Sequence, residues 1–153
     1  MNAMEFVNRL RLDSSAGKHA LGAPLSVATP RPPFVPDELF EFYRIANGLR
    51  FWTDADESGF FALLPIESLG TPVREVMLGS EASEEARRSW PDQIIALSSH
   101  LDGQYFLALD TRNGIYIDAD PINDPKAIGR AWAGVLDWIW ENWVEAIRDE
   151  EGA

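Results

Sequence analysis

Ser98, Ser99 and His100 stand side by side, and a serine beside a histidine is the smallest unit of nucleophilic catalysis, in which the imidazole takes the hydroxyl proton as the oxygen attacks. Their spacing argues against that chemistry. Neighbours on a strand point to opposite faces, no G-x-S-x-G turn accompanies them, and His19, the other histidine, lies in a glycine-flanked stretch. Two acidic clusters suggest a metal instead. Asp54, Asp56 and Ser58 followed by Gly59 place oxygen donors and glycine as a calcium loop opens, but Pro65 stands where the closing glutamate belongs. Asp118 and Asp120 begin the same way, and Ile122 and Asn123 then take the third donor and glycine places. Both clusters read as solvated turns. Asp102 and Asp110 resemble a glycosidase pair in residue type, yet eight strand residues at ~3.3 Å each spread them over roughly 26 Å, beyond the ~5–10 Å that hydrolysis needs. Asp102 is then a turn residue before Gly103, and Asp110 initiates the turn at Asn113-Gly114. No catalytic residue, cofactor or metal is expected.

Composition narrows the partners. The chain has 153 residues, 46% of them hydrophobic, enough for one domain with a core. No apolar run approaches the ~20 residues of a membrane-spanning helix, and the N-terminus lacks a basic stretch ahead of a hydrophobic block. A cytoplasmic protein without membrane contact is the expectation. Cysteine is absent, which removes disulfides, thiolate zinc sites and a cysteine nucleophile. A net charge of -12 and a pI near 4.4 repel phosphate backbones, so nucleic acid is not expected and a basic protein partner is.

These side chains need elements to hold them, and the clearest lies between Val35 and Leu49. Pro36 suits a first helical turn, and Asp37 and Glu38 put negative charge at the positive end of the helix dipole. Leu39, Phe42, Tyr43 and Ala46 recur at three and four residues as an apolar stripe, with Glu41 and Arg44 on the wet side. Asn47-Gly48 closes the helix, since glycine adopts the left-handed conformation freely. Before it, Pro24, Pro30, Pro32, Pro33 and Pro36 predict an extended arm over 21–36 without regular hydrogen bonding, laid over the body. Further upstream, residues 4–12 read as a short helix with Phe6, Val7 and Leu10 on one side.

After residue 70 the chain reads as two short helices, one opening at Thr71-Pro72 with Val73, Val76 and Met77 apolar, the other over 80–88 with acids early and arginines late. The period then falls to two, and Asn113-Gly114 suits a tight hairpin. From Ile128 a helical period returns. Trp132, Leu136, Ile139, Trp143 and Ile147 form its inward stripe, which leaves Trp138 on the other side near Glu141 and Glu145. An aromatic ring among carboxylates suits a cationic partner surface, unless the proline-rich arm covers it. Trp52 with Asp54, Asp56 and Glu57 makes a second patch of the same kind.

The order of these pieces resembles the SUKH superfamily, which includes the fungal cell-wall-synthesis regulator and many bacterial immunity proteins. The resemblance is carried by Pro36 with Leu39, Phe42-Tyr43, Asn47-Gly48, Asp102-Gly103 before Tyr105, Leu109-Asp110, and Ile115-Tyr116. The proline-broken arm departs from the superfamily, whose members usually bring an N-terminal helix close before the proline. Taken together, the residues predict a single α+β domain. Its antiparallel-rich mixed sheet (60–63, 94–97, 104–110, 115–118) packs on helices at 36–46 and 128–147. The short N-terminal helix and proline-rich arm occupy 1–34, the domain 35–148 and an acidic tail 149–153. The resemblance implies a protein-binding function, foremost an immunity protein that occludes a basic toxin domain. Its alternatives are a regulatory scaffold of the same superfamily and, from another class, a small hydrolase or metal-dependent enzyme.

Overall fold

The computed structural model describes residues 1–13, 19–51, 61–76, 84–100, 106–119 and 125–145. Helix α1 (Ala3–Leu12) forms where residues 4–12 are read as helical. The Asn2 side chain accepts the Glu5 N–H at 2.8 Å, Arg9 and Arg11 sit in the last turn, and Phe6, Val7 and Leu10 are buried. Strand β1 (Ala20–Leu21) follows, and then the arm leads to α2 (Asp37–Ile45). Pro36 is the residue before α2 rather than its first, and Leu39, Phe40, Phe42 and Tyr43 are buried. Gly48, at φ +87°, turns the chain straight into β2 (Leu49–Phe51), and a side chain there would meet the Leu63 carbonyl at 2.8 Å.

Strand β3 (Phe61–Leu63), a 3-10 turn at Ile66–Ser68 and two short helices, α3 (Val73–Val76) and α4 (Glu84–Arg88), come next. The remaining strands are β4 (Ile94–Ala96), β5 (Ser98–His100), β6 (Phe106–Asp110), β7 (Ile115–Ala119) and β8 (Lys126–Gly129). Helix α5 (Trp132–Ile139) then runs on as a π-helix over Trp140–Glu145.

The α+β class and the antiparallel pairing are as expected, but the strands divide between two sheets, ordered β1-β2-β3-β5 and β4-β6-β7-β8. Leu97 and Ser98 are where the chain changes sheet. Leu97 donates its N–H to Leu107 and accepts from Leu64, while the Ser98 hydroxyl, fully buried, accepts the Leu107 N–H at 2.7 Å. A serine placed there lets one strand leave the ladder without orphaning a backbone donor.

Alternation on the second sheet gives each face its own core. Ile95, Leu107, Leu109 and Tyr116 face α1, α2 and α5 together with Phe6, Phe42 and Trp132, while Ile94, Ala96, Ala108, Ile117 and Ala119 pack with Val73 and Trp90. Trp132 is the largest of the fully buried side chains, and its ring stands 5.5 Å from Phe42 and 5.3 Å from Tyr116. Truncating such a residue to alanine costs about 3–5 kcal/mol.

Three expectations change. The helix assigned to 128–147 begins only at Trp132, because Ile128 belongs to β8, where Lys126 pairs with Asp118 and Ala127 with Ile117. An apolar residue in so short a stretch, Lys126-Ala127-Ile128-Gly129, fits either period, and pairing with β7 decides for the strand. The hairpin at Asn113-Gly114 is a four-residue connection, with Asp110 opposite Ile115 and Gly114 at φ +73°. The Asp110 carboxylate holds it by accepting the Arg112 backbone N–H and guanidinium. The arm, finally, begins as a paired strand. Leu21 lies opposite Leu49, and Gly22 and Ala23 hydrogen-bond to Gly48 and Asn47.

Candidate functional site

The inward stripe of α5 determines what is left outside. Trp132, Val135, Leu136 and Ile139 are buried, so Trp138 emerges at the helix flank, half-buried, where β7 and β8 pass. On β7 the two-residue period puts Asp118 on the same face as Tyr116, beyond the edge of the core, and Lys126 stands directly across from it on β8. Between helix and strands lies an open groove of about 370 Å³, lined by Asp118, Lys126, Ile128, Gly134, Trp138 and Glu141 among others. Gly134 lines it without a side chain. A methyl group at that position would meet nothing within 4 Å.

The helix changes character beside this groove. Asn142 donates its side-chain amide to the Trp138 carbonyl at 2.8 Å as the α-helix widens into the π-helix. Such wide turns hydrogen-bond less favourably than α-helix and occur often at functional sites. On the helix's other flank Trp140 donates its ring N–H to Glu145 at 2.9 Å and lies under the Arg9 guanidinium at 5.2 Å. Asp137, at the groove rim, is paired with the Met1 ammonium at 3.0 Å.

Of the residues expected to bind a partner, Trp138 and Glu141 share the groove, whereas Glu145 is tied to Trp140. The arm bonds to β2 and to Asn47-Gly48, and none of its residues is among those that line this groove. Trp52, Asp54, Asp56 and Glu57, with the calcium-like loop they begin, lie outside the described residues, as do Asp102, Tyr105 and Ile147. Among the described residues no group of three or more His, Cys, Asp or Glu side chains is placed to hold a metal ion. The sequence pattern names Asp118 only as the start of an acidic turn and does not single out Lys126 or Gly134 as binding residues. Only the alternation of β7, which puts Asp118 in line with Tyr116, hints at that residue's place here.

The shifted ionisable groups lie elsewhere and are structural. A hydrogen bond from Arg112 holds Asp110 below the usual carboxylate range, one from Asn47 does the same for Glu67, and burial pushes the Tyr43 and Tyr116 phenols up. A second depression of about 390 Å³ runs along β1, β2 and β3. Its walls are strand backbone and small or aliphatic side chains, with Arg50 the sole charge among its lining residues, and it has no aromatic anchor. Of these two, the smaller groove combines an aromatic ring with charged side chains of both signs.

Comparison with known proteins adds a family. The model of the SMI1 / KNR4 family (SUKH-1) matches residues 34–148, which spans α2 through the π-helix. No curated protein and no solved structure matches the chain. Among the described residues no helix is long and apolar enough to cross a membrane.

Proposed function

The chain belongs to the SMI1 / KNR4 family (SUKH-1), and from that premise we propose that it is a non-catalytic, cytoplasmic protein-binding module, an immunity protein that neutralises a toxin by covering it one to one. The observation that carries this reading is the groove that Trp138 lines together with Asp118 and Glu141. Interfaces draw their affinity from a few large, partly desolvated anchors, and a ring beside carboxylates selects a cationic surface. The net charge of -12 supports the same partner class, because a negative field steers a basic protein onto this surface and repels nucleic acid. Toxins that act on polyanions are themselves basic.

Ser98, the residue that most resembles a nucleophile, is fully buried and accepts a backbone N–H, which fits a structural role better than attack on a substrate. The test is co-expression with the product of the neighbouring gene. Restored growth together with a stoichiometric complex on purification supports the reading, and Trp138→Ala weakens that complex by about 2 kcal/mol. Turnover of a small substrate, abolished by one side-chain change, would overturn it.

A further inference from the structure

The geometry points to the groove between α5 and β8 as a slot for a single arginine side chain of the protein partner, stacked on the Trp138 indole with its N–H edge turned to Glu141. This rests on the proposed function and names the residue type that the partner must present. Three features meet in the groove. Trp138 supplies a partly exposed aromatic ring, Asp118 and Glu141 line the same groove, and Gly134 leaves its helical wall without a side chain.

Charge decides in favour of a cation. Asp118, Asp137 and Glu141 line the groove against Lys126, and Asp137 already holds the Met1 ammonium, so the balance stays negative within a chain of net charge -12. Shape decides for arginine over lysine. A guanidinium is planar and weakly hydrated, so it can lie flat on the indole while two N–H groups reach one carboxylate, whereas an ammonium must shed a tighter water shell. The π-helix that starts at Trp140, with Asn142 bonded back to the Trp138 carbonyl, is an independent mark on the same spot. Irregular turns of this kind occur frequently at functional sites.

The experiment uses the purified chain and the capped peptide acetyl-Gly-Arg-Gly-amide, followed by NMR at the Gly134 amide and the Trp138 indole N–H. The arginine peptide is expected to shift both signals saturably with a Kd of about 1–10 mM, and the lysine peptide to bind at least ~3-fold more weakly. Gly134→Leu fills the groove from a position with free space and replaces a helical glycine, so it folds at least as stably as the parent and binds the peptide ~10-fold more weakly or not at all. The slot is refuted if neither signal moves by ~20 mM peptide, if lysine binds as well as arginine, or if Gly134→Leu binds like the parent. A cognate complex undiminished by Gly134→Leu removes the slot and leaves the proposed function standing. Peptide binding without any cognate complex does the reverse.

Discussion

The carboxylate of Glu38, in the first turn of α2, accepts the backbone N–H of Trp132, the first residue of α5, at 2.9 Å. Helix α5 has no side-chain cap of its own, because Ala131 occupies the capping position. The cap is imported from a residue 94 positions away, and it sets the start of the helix that carries Trp132 into the core and Trp138 to the groove.

Glu38→Ala should therefore lower stability by about 1–2 kcal/mol, the range of a lost helix cap, while Glu38→Gln, whose amide oxygen still accepts, should lose less than half of that. Urea unfolding measures both. A shifted midpoint with an unchanged slope is expected, and equal losses for the two variants would contradict the hydrogen-bond account.

Gly22 is where the arm is pinned to the body. A side-chain carbon there would stand 2.0 Å from the Asn47 carbonyl oxygen, so Gly22→Ala must push β1 away from β2. We expect a loss of about 1–3 kcal/mol and faster hydrogen exchange at the amides of residue 22 and Asn47, which donate to the Gly48 and Ala23 carbonyls. Unchanged protection at both amides would show that the arm is not held in this way.

Asp110 predicts a pH dependence of known sign. The Arg112 side chain, hydrogen-bonded at 2.8 and 3.0 Å, holds the carboxyl below its ordinary value. The resulting stability is complete above the unfolded pKa of ~3.9 and is lost as pH falls through the lower folded value. Arg112→Ala should be slightly less stable than the parent at pH 7, since that guanidinium is half exposed and screened by solvent, and the gap should close below pH ~4. Urea midpoints measured from pH 7 to pH 2 decide, and a constant gap would count against the pair.

Association with a basic partner should slow as salt screens the -12 charge. Between ~50 and ~500 mM salt the association rate is expected to fall by ~10-fold or more, with a smaller effect on dissociation. Stopped-flow mixing resolves the two rates. An association rate that ignores salt would remove steering from the proposed function while leaving the complex itself intact.

The elements most legible in the chain were those whose signals are local. Pro36, the Asp37-Glu38 turn and Gly48 mark α2 almost to the residue, and the stripe Trp132, Leu136, Ile139 and Trp143 is buried as its period predicts. The candidate site was half legible. Trp138 and Glu141 emerge from helical projection, but Glu145, placed with them by the same projection, turns to the Trp140 ring once the helix widens. A regular 3.6-residue period cannot foresee a π-helix, because it assumes the i→i+4 backbone bonding that the π-helix replaces with i→i+5.

By itself the sequence determined which residues are helical or extended over short spans, which faces are apolar, and that the surface is acidic, since each of these is a property of neighbours along the chain. Only the tertiary structure decided that residues 94–100 serve two sheets, that Ile128 is strand, and that Asp118 and Lys126 close a groove against Trp138. Those outcomes depend on which distant segment completes a hydrogen-bond ladder or caps a helix, and such choices are made among partners that no local period encodes.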